Sequence, residues 1–231
     1  YDEYTFYHSV NVAISAIVLG SKLPLDKPQL QVLGVAALLH DIGKILIPIE
    51  IITKPGPLTS SEWEIMKRHP IEGAEILSQL PELDKLAMVV AFEHHAGYDL
   101  GGYPQITTKK QIHLFSRIVE ITDTFDALTT HRPYRAAVLG DRALGYMLGK
   151  SGTTFDPLLM KLYVQTLGIY PLGALVRTDR GEIGVVCQSN TNDLLRPKLK
   201  LIIGRKGERM EPKVVDLAEG DKTRKKFKMS I

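Results

Sequence analysis

Apolar residues return every three or four positions along most of the chain up to residue 166, the spacing of helices that bury one face. Tyr4 to Leu19 reads as a helix, with Val10, Ile14, Ile17 and Val18 expected on its buried side. Lys22 to Lys27 reads as a loop in which Asp26 caps the next helix and Pro28 suits its first turn. That helix is expected to run through Leu39 and to end near Gly43, and Pro48, Pro55, Gly56 and Pro57 then interrupt the pattern. Thr59 and Glu62 stand at capping-box spacing and predict a new helix start. Further helices are expected over 71–79, 82–95, 112–130, 139–149 and 157–166. After Pro171 the period changes. Short β-branched or alternating segments at 174–178, 182–188, 198–203 and 213–217, with turns at 179–181 and 206–208, predict a small antiparallel β unit. The expected fold class is mainly α: a helical bundle over 1–171, a β appendage over 172–219 and a basic tail over 220–231.

The pattern breaks most sharply at one place. The apolar run Val35-Ala36-Ala37-Leu38-Leu39 leads into His40 and Asp41, then Ile42-Gly43-Lys44. Burying an imidazole and a carboxylate is costly unless something compensates them. A divalent cation is the obvious candidate, with the lysine about one helical turn on left to meet a phosphate. Composition narrows the setting. The 231 residues suffice for one substantial domain with a small accessory. The net charge of +3 is misleading, because the tail holds five Lys and Arg against one Asp and the rest of the chain is at −1. Basicity confined to a tail argues against a nucleic-acid-binding body. The single cysteine excludes an internal disulfide framework and fits a reducing, cytoplasmic compartment. No apolar stretch is expected to cross a bilayer. The chain opens on Tyr1 rather than Met, so it is expected to be a fragment of a longer protein.

Five of the seven histidines fall where a bundle can bring them together: His8, His40, His69, His94 and His95, joined by Asp41 and Asp123. A lone histidine on an apolar helix is commonly a hydrogen-bonded core residue. The adjacent pairs His40-Asp41 and His94-His95 are harder to explain as packing, because neighbours on a helix point in different directions and both need partners. Imidazole and carboxylate donors without thiolate suit iron, manganese or zinc. Five His and two Asp exceed the needs of one ion with open positions and match two ions bridged by a carboxylate, a pair that clamps a phosphate oxygen. Arg132 and Arg135 flank Pro133-Tyr134 just after the helix carrying Asp123. They fit phosphate recognition or ordinary surface charge, and the sequence leaves both open.

These residues, taken as an ordered series, resemble the HD-GYP family of metal-dependent phosphohydrolases. The series comprises His8-Ser9, Leu39-His40-Asp41-Ile42-Gly43-Lys44, Lys54-Pro55-Gly56, His69-Pro70, His94-His95 with Asp99 and Gly102-Tyr103-Pro104, Arg117-Ile118-Val119, Asp123, Phe125-Asp126-Ala127-Leu128, Arg132-Pro133-Tyr134-Arg135, and Phe155-Asp156-Pro157. The resemblance implies an HD-domain bundle and a phosphodiesterase that opens the bacterial second messenger cyclic di-GMP to pGpG and, by a second cut, GMP. It implies metal ligation by His8, His40, Asp41, His69, His94, His95 and Asp123, with Asp41 bridging two ions of iron or manganese. Lys44 and Asp41 would serve catalysis, while Lys44, Arg132, Arg135 and Tyr103 would bind substrate.

Two departures are visible. Some members carry a glutamate four residues before the first histidine and bind a third metal; Tyr4 stands there, so two ions are expected. The run Ala96-Gly97-Tyr98-Asp99-Leu100-Gly101 differs from the usual Glu-Arg-Trp/Tyr-Asp-Gly-Ser, which bears on substrate preference. Competing readings are another cyclic-dinucleotide or nucleotide phosphohydrolase, a low-turnover nucleotide receptor and a di-iron oxygenase. A homodimer, a protein partner at the Gly-Tyr-Pro loop and an upstream sensor or receiver domain are consistent with the resemblance; nucleic acid is not an expected partner.

Overall fold

The computed structural model describes residues 3–108, 111–130, 137–167, 172–190 and 196–219. Its helices are α1 (Glu3–Gly20), α2 (Lys27–Leu39), α3 (Ile49–Ile52), α4 (Ser60–Met66), α5 (His69–Ser78), α6 (Lys85–Glu93), α7 (Leu114–Thr129), α8 (Gly140–Leu148) and α9 (Pro157–Leu167), with a 3-10 turn over Ile42–Leu46. Four strands follow: β1 (Leu175–Arg177), β2 (Ile183–Gln188), β3 (Lys198–Ile203) and β4 (Arg209–Asp216). Two compact units divide the chain, Tyr1–Tyr163 and Val164–Ile231.

Local chemistry starts two of the helices where expected. Asp26 and Gln29 form a reciprocal capping box ahead of α2, with Pro28 in the first turn. Thr59 and Glu62 do the same for α4. In the first unit α1 packs on α2 and α7, α2 and α5 on α6, and the 3-10 turn on α5. The core is drawn from Val12, Ala16 and Leu19 of α1, Leu33, Ala36 and Ala37 of α2, Val90 and Ala91 of α6, and Ile118, Val119 and Ile121 of α7.

Helix α1 turns the other way from the expected one. Ile14, Ile17 and Val18 are exposed and Val10 is half-buried, while His8, Val12, Ala13, Ala16 and Leu19 face inward. The helix is apolar nearly all round, so periodicity cannot choose its buried face. Small residues at 13 and 16 and the inward His8 choose it. Helix α2 also stops earlier than expected, at Leu39, which leaves His40 and Asp41 beyond its last turn. By length and composition alone, the 20 residues Lys27–Leu46 match a membrane span at mean hydropathy 1.2, contrary to the expectation that no stretch would. In the fold this stretch is interrupted after Leu39 and carries the buried His40 and Asp41.

In the second unit the strands form one antiparallel sheet in the order β1-β2-β3-β4. Val176, Val186, Leu199, Leu201 and Leu217 make its core. Strand β4 begins at Arg209, four residues before the expected start. It is an edge strand, where Pro212 and charged residues are tolerated. The tail 220–231 lies outside the described residues.

Candidate metal centre

Helix ends deliver most of the polar cluster. His40 follows α2, His69 opens α5, His94 follows α6 with His95 beside it, and Asp41 lies between α2 and the 3-10 turn. His8 and Asp123 come from mid-helix positions on α1 and α7. His8, His40, Asp41, His69, His94 and Asp123 are buried, and 24% of the His95 side chain is exposed.

The structure brings all seven predicted donors together. Ligating atoms of His8, His40 and Asp41 lie within 4.8 Å of one another, and so do those of Asp41, His69, His94 and His95. Asp41 belongs to both groups. Its Oδ1 is 3.3 Å from His69 Nε2 and 3.7 Å from His94 Nε2, while Oδ2 is 3.4 Å from His40 Nε2 and 3.9 Å from His8 Nε2. Asp123 Oδ1 is 3.0 Å from His8 Nε2 and 3.9 Å from His40 Nε2, and Oδ2 is 3.9 Å from His95 Nδ1.

Backbone carbonyls orient three of the rings. Nδ1 of His40 donates to Ala37 O at 2.7 Å, that of His69 to Met66 O at 2.8 Å, and that of His94 to Ala91 O at 2.9 Å. A carbonyl can only accept, so Nδ1 carries the proton and Nε2 presents its lone pair to the cluster. His69 Nε2 and His94 Nε2 then face each other at 3.2 Å. Two lone pairs at that distance repel unless a cation or a proton lies between them. His40 Nε2 and Asp41 Oδ1 are buried without a hydrogen bond. These orphaned donors fit a cation and have no other evident purpose. Any metal bound here would therefore be held by imidazole nitrogens and carboxylate oxygens, the donor set of iron, manganese or zinc.

Burial and the hydrogen bonds within the cluster set the charges of its members. Burial alone would lower the His8 pKa, but hydrogen bonds to Asp123 and Asp126 outweigh it and raise the value to about 9. Burial lowers His69 to about 3 despite the attraction of Asp41, and it holds His95 well below its ordinary value. Burial would raise Asp41 and Asp123. Lys44 and His40 hold Asp41 well below the usual carboxylate range, and the His8 hydrogen bond does the same for Asp123. Lys44 donates directly to Asp41 Oδ2.

Beside the cluster the chain doubles back. Gly102 N donates to Ala96 O at 2.8 Å and Tyr103 N to His95 O at 2.9 Å. A Cβ on Gly102 would meet His95 O at 2.0 Å, so only glycine passes there. The loop is tied to the Gly152 turn by Tyr98 N to Thr154 O and Asp99 N to Thr153 O. Tyr103 thereby lies 4.8 Å, centroid to centroid, from His95. Glu120 of α7 accepts from the Gly97 backbone, and burial together with Asp123 raises its pKa to about 9.

Arg132 and Arg135, and the side chain of Tyr4, lie outside what the structure describes. Sequence reasoning missed Asp126 as a partner of His8: its Oδ2 accepts from His8 Nδ1 at 2.7 Å, while Oδ1 accepts from Asn11 and Thr130. The signal was present, since Asp126 is three residues from Asp123 and shares its helix face. Glu120 was also missed; nothing in its local pattern marks it.

The comparisons agree with this geometry. The HD domain family model matches residues 4–159. The chain is 38% identical over 223 residues to "Cyclic di-GMP phosphodiesterase PA4108" of Pseudomonas aeruginosa, covering 96% of this chain and 54% of that protein. It is 36% identical over 168 residues to "3'3'-cGAMP-specific phosphodiesterase 3" of Vibrio cholerae, covering 73% of this chain and 36% of that protein. It therefore spans about half or less of the length of these relatives. Among solved structures, the fold is similar to Bd1817, an HDG"Y"P protein from Bdellovibrio bacteriovorus, with a TM-score of 0.58 at 21% identity over 69% of this chain and 51% of that one. With the family model matched over most of the helical unit and the His40-Asp41 pair at the heart of the cluster, the chain belongs to the HD domain family.

Proposed function

We propose that the chain is the catalytic part of a metal-dependent phosphodiesterase that hydrolyses cyclic di-GMP to pGpG, GMP or both. One observation carries the reading: Asp41 is common to two donor groups, His8-His40-Asp41 and Asp41-His69-His94-His95. His8, His40, Asp41, His69, His94, His95 and Asp123 would together hold two divalent ions, iron or manganese. The similarity to a Pseudomonas aeruginosa cyclic di-GMP phosphodiesterase supports cyclic di-GMP as substrate. Bound ions would supply Lewis-acid charge at the phosphate and an activated water.

The chain's own residues do the rest. Lys44, a quarter exposed, reaches the cluster from the 3-10 turn, where it donates to Asp41, and would meet a phosphate oxygen of the bound substrate. Arg132 and Arg135 are proposed to hold the second phosphate, and Tyr103 to wall the pocket. The catalytic part is assigned to 1–171, and the β unit 172–219 to stabilisation of it. Deletion of 172–231 tests that by stability and turnover together.

The deciding experiment is purification without oxygen, quantification of bound metals, and chromatography of cyclic di-GMP breakdown. Two tightly held ions and a pGpG or GMP product are expected; intact cyclic di-GMP after incubation with the metal-loaded protein refutes the reading. Lys44→Ala should keep the metals and slow turnover about 100-fold. The Vibrio cholerae relative makes 3'3'-cGAMP the substrate to compare, and the ratio of kcat/KM values decides between the two.

A further inference from the structure

Trp63 is the only tryptophan in the chain and stands 44% exposed on α4. No residue of α4 is fully buried. What places this helix is its N-terminal capping box and the Lys54 to Glu62 ion pair at 2.5 Å, which leaves the indole at the edge of the fold rather than in its core. Its ring packs edge-to-face with that of Tyr103, with centroids 5.8 Å apart at 74°. Tyr103 in turn lies 4.8 Å from His95 and 6.3 Å from His69. The indole is therefore no farther than about 11 Å from the His95 ring, the bound set by the two centroid separations. A relay of aromatic rings leads from the donor cluster to an open indole within the span of one nucleotide.

The half-exposed indole offers a flat aromatic surface within reach of the polar cluster. Packing against Tyr103 leaves the residue 44% exposed. Resting on the phosphodiesterase reading above, we propose that the open face of Trp63 stacks on one purine base of the cyclic dinucleotide while the adjoining phosphodiester occupies the His/Asp cluster. Every base has a π-face, so the stack anchors a nucleoside without reading its identity. It favours nucleotide substrates over small phosphodiesters. The edge-to-face contact with Tyr103 holds the indole, so the stacking surface is organised before the ligand arrives.

The single tryptophan makes the test direct. Metal-loaded protein is mixed rapidly with cyclic di-GMP, or with inorganic phosphate as a base-free probe, and tryptophan emission is followed before turnover. Binding is measured in parallel by calorimetry. Saturable quenching by cyclic di-GMP and no change with phosphate are expected. Trp63→Ala should raise KM about 10-fold, within the range of about 5- to 150-fold for loss of one base–aromatic stack, and leave kcat within about twofold; Trp63→Phe should restore most of the KM. Calorimetric binding with silent emission, or an unchanged KM in Trp63→Ala, overturns the stacking inference alone. Absence of any calorimetric binding overturns the substrate reading and the inference with it. Because the emission test uses the wild-type chain, it stands even if Trp63→Ala fails to fold.

Discussion

Replacing Gly43 by alanine should damage the centre severely for the addition of one methyl group. The 3-10 turn carrying Gly43 presses on the start of α5 so closely that an added Cβ would lie 2.0 Å from the His69 carbonyl oxygen and 2.5 Å from Gly73 N. Real Cβ contacts essentially never fall below 3.0 Å, so the two backbones must separate by at least about 1 Å. Neither obstacle is a side chain that can rotate away. Overpacking of this kind costs about 1–3 kcal/mol, and a clash with backbone on two sides belongs at the upper end. About 3 kcal/mol corresponds to a Tm loss of roughly 6–12 °C for a chain of this size. The same displacement moves Asp41 and Lys44 away from His69, and a 1 Å misplacement at a reacting centre costs about 100-fold in rate. The facing residue supplies the control. A Cβ on Gly73 would meet Gly43 N at 3.1 Å, a contact relieved by a few tenths of an ångström. Alanine also gains about 0.5–1 kcal/mol over glycine inside a helix. Gly73→Ala should therefore be near neutral. Urea unfolding, metal content and turnover of both variants check the argument. Gly43→Ala with native stability and full metal content refutes it, and so does equal damage from both substitutions.

Three further outcomes follow from the same geometry. In chelator, stability should peak near pH 6.5. Below that, the unfolded chain binds more protons than the folded one, because His69 and His95 stay neutral down to about 3 and to well below the ordinary value, respectively. Above it, the folded chain binds more, because His8 and Glu120 hold their protons to about 9. Stability should then fall with a slope of at most about 1.4 kcal/mol per pH unit for each group, and Glu120→Gln should remove its share. Urea titrations across the range decide it, and a flat profile from pH 7 to 9 contradicts it. Leu100, at φ 66°, holds a left-handed conformation that costs a non-glycine residue about 1 kcal/mol. Leu100→Gly should raise the unfolding midpoint by an amount of that order; a lower midpoint shows that its side-chain packing outweighs the strain.

The clustered His and Asp residues and the main helix starts were legible because each has a local signature. Capping boxes at Asp26 and Thr59, proline breaks, and ionisable residues following an apolar run need no knowledge of the tertiary fold. The inward face of α1 was not legible, since Ile14, Ile17 and Val18 satisfy the same periodicity as Val12, Ala16 and Leu19; the helices that α1 meets decide between them. The early stop of α2 at Leu39 was hidden for a similar reason. The 3-10 turn that follows it packs on the start of α5, with Gly43 against the His69 carbonyl 26 residues away in sequence. The Trp63–Tyr103 contact is likewise long-range. Strand β4 was read short because Pro212 counts against a strand until its edge position is known.

How the imidazoles are held separates robust donors from a vulnerable one. His40, His69 and His94 each donate Nδ1–H to the carbonyl three residues earlier. No side-chain substitution can delete a carbonyl, so these rings keep their tautomer and aim through most mutations. His8 is held differently, by the Asp126 carboxylate, which is in turn fixed by Asn11 and Thr130. One substitution can therefore release one side of the centre. Asp126→Ala removes the acceptor without adding bulk and lets His8 turn toward either tautomer. Loss of such an orienting partner weakens metal binding by about 10- to 100-fold. The loss should fall on the His8-His40-Asp41 group and leave the Asp41-His69-His94-His95 group near its original affinity. Metal titration of the two proteins should show one weakened class of site in the variant; uniform weakening would mean that Asp126 supports the whole fold rather than one ligand, and unchanged affinity would mean that His8 needs no orienting partner.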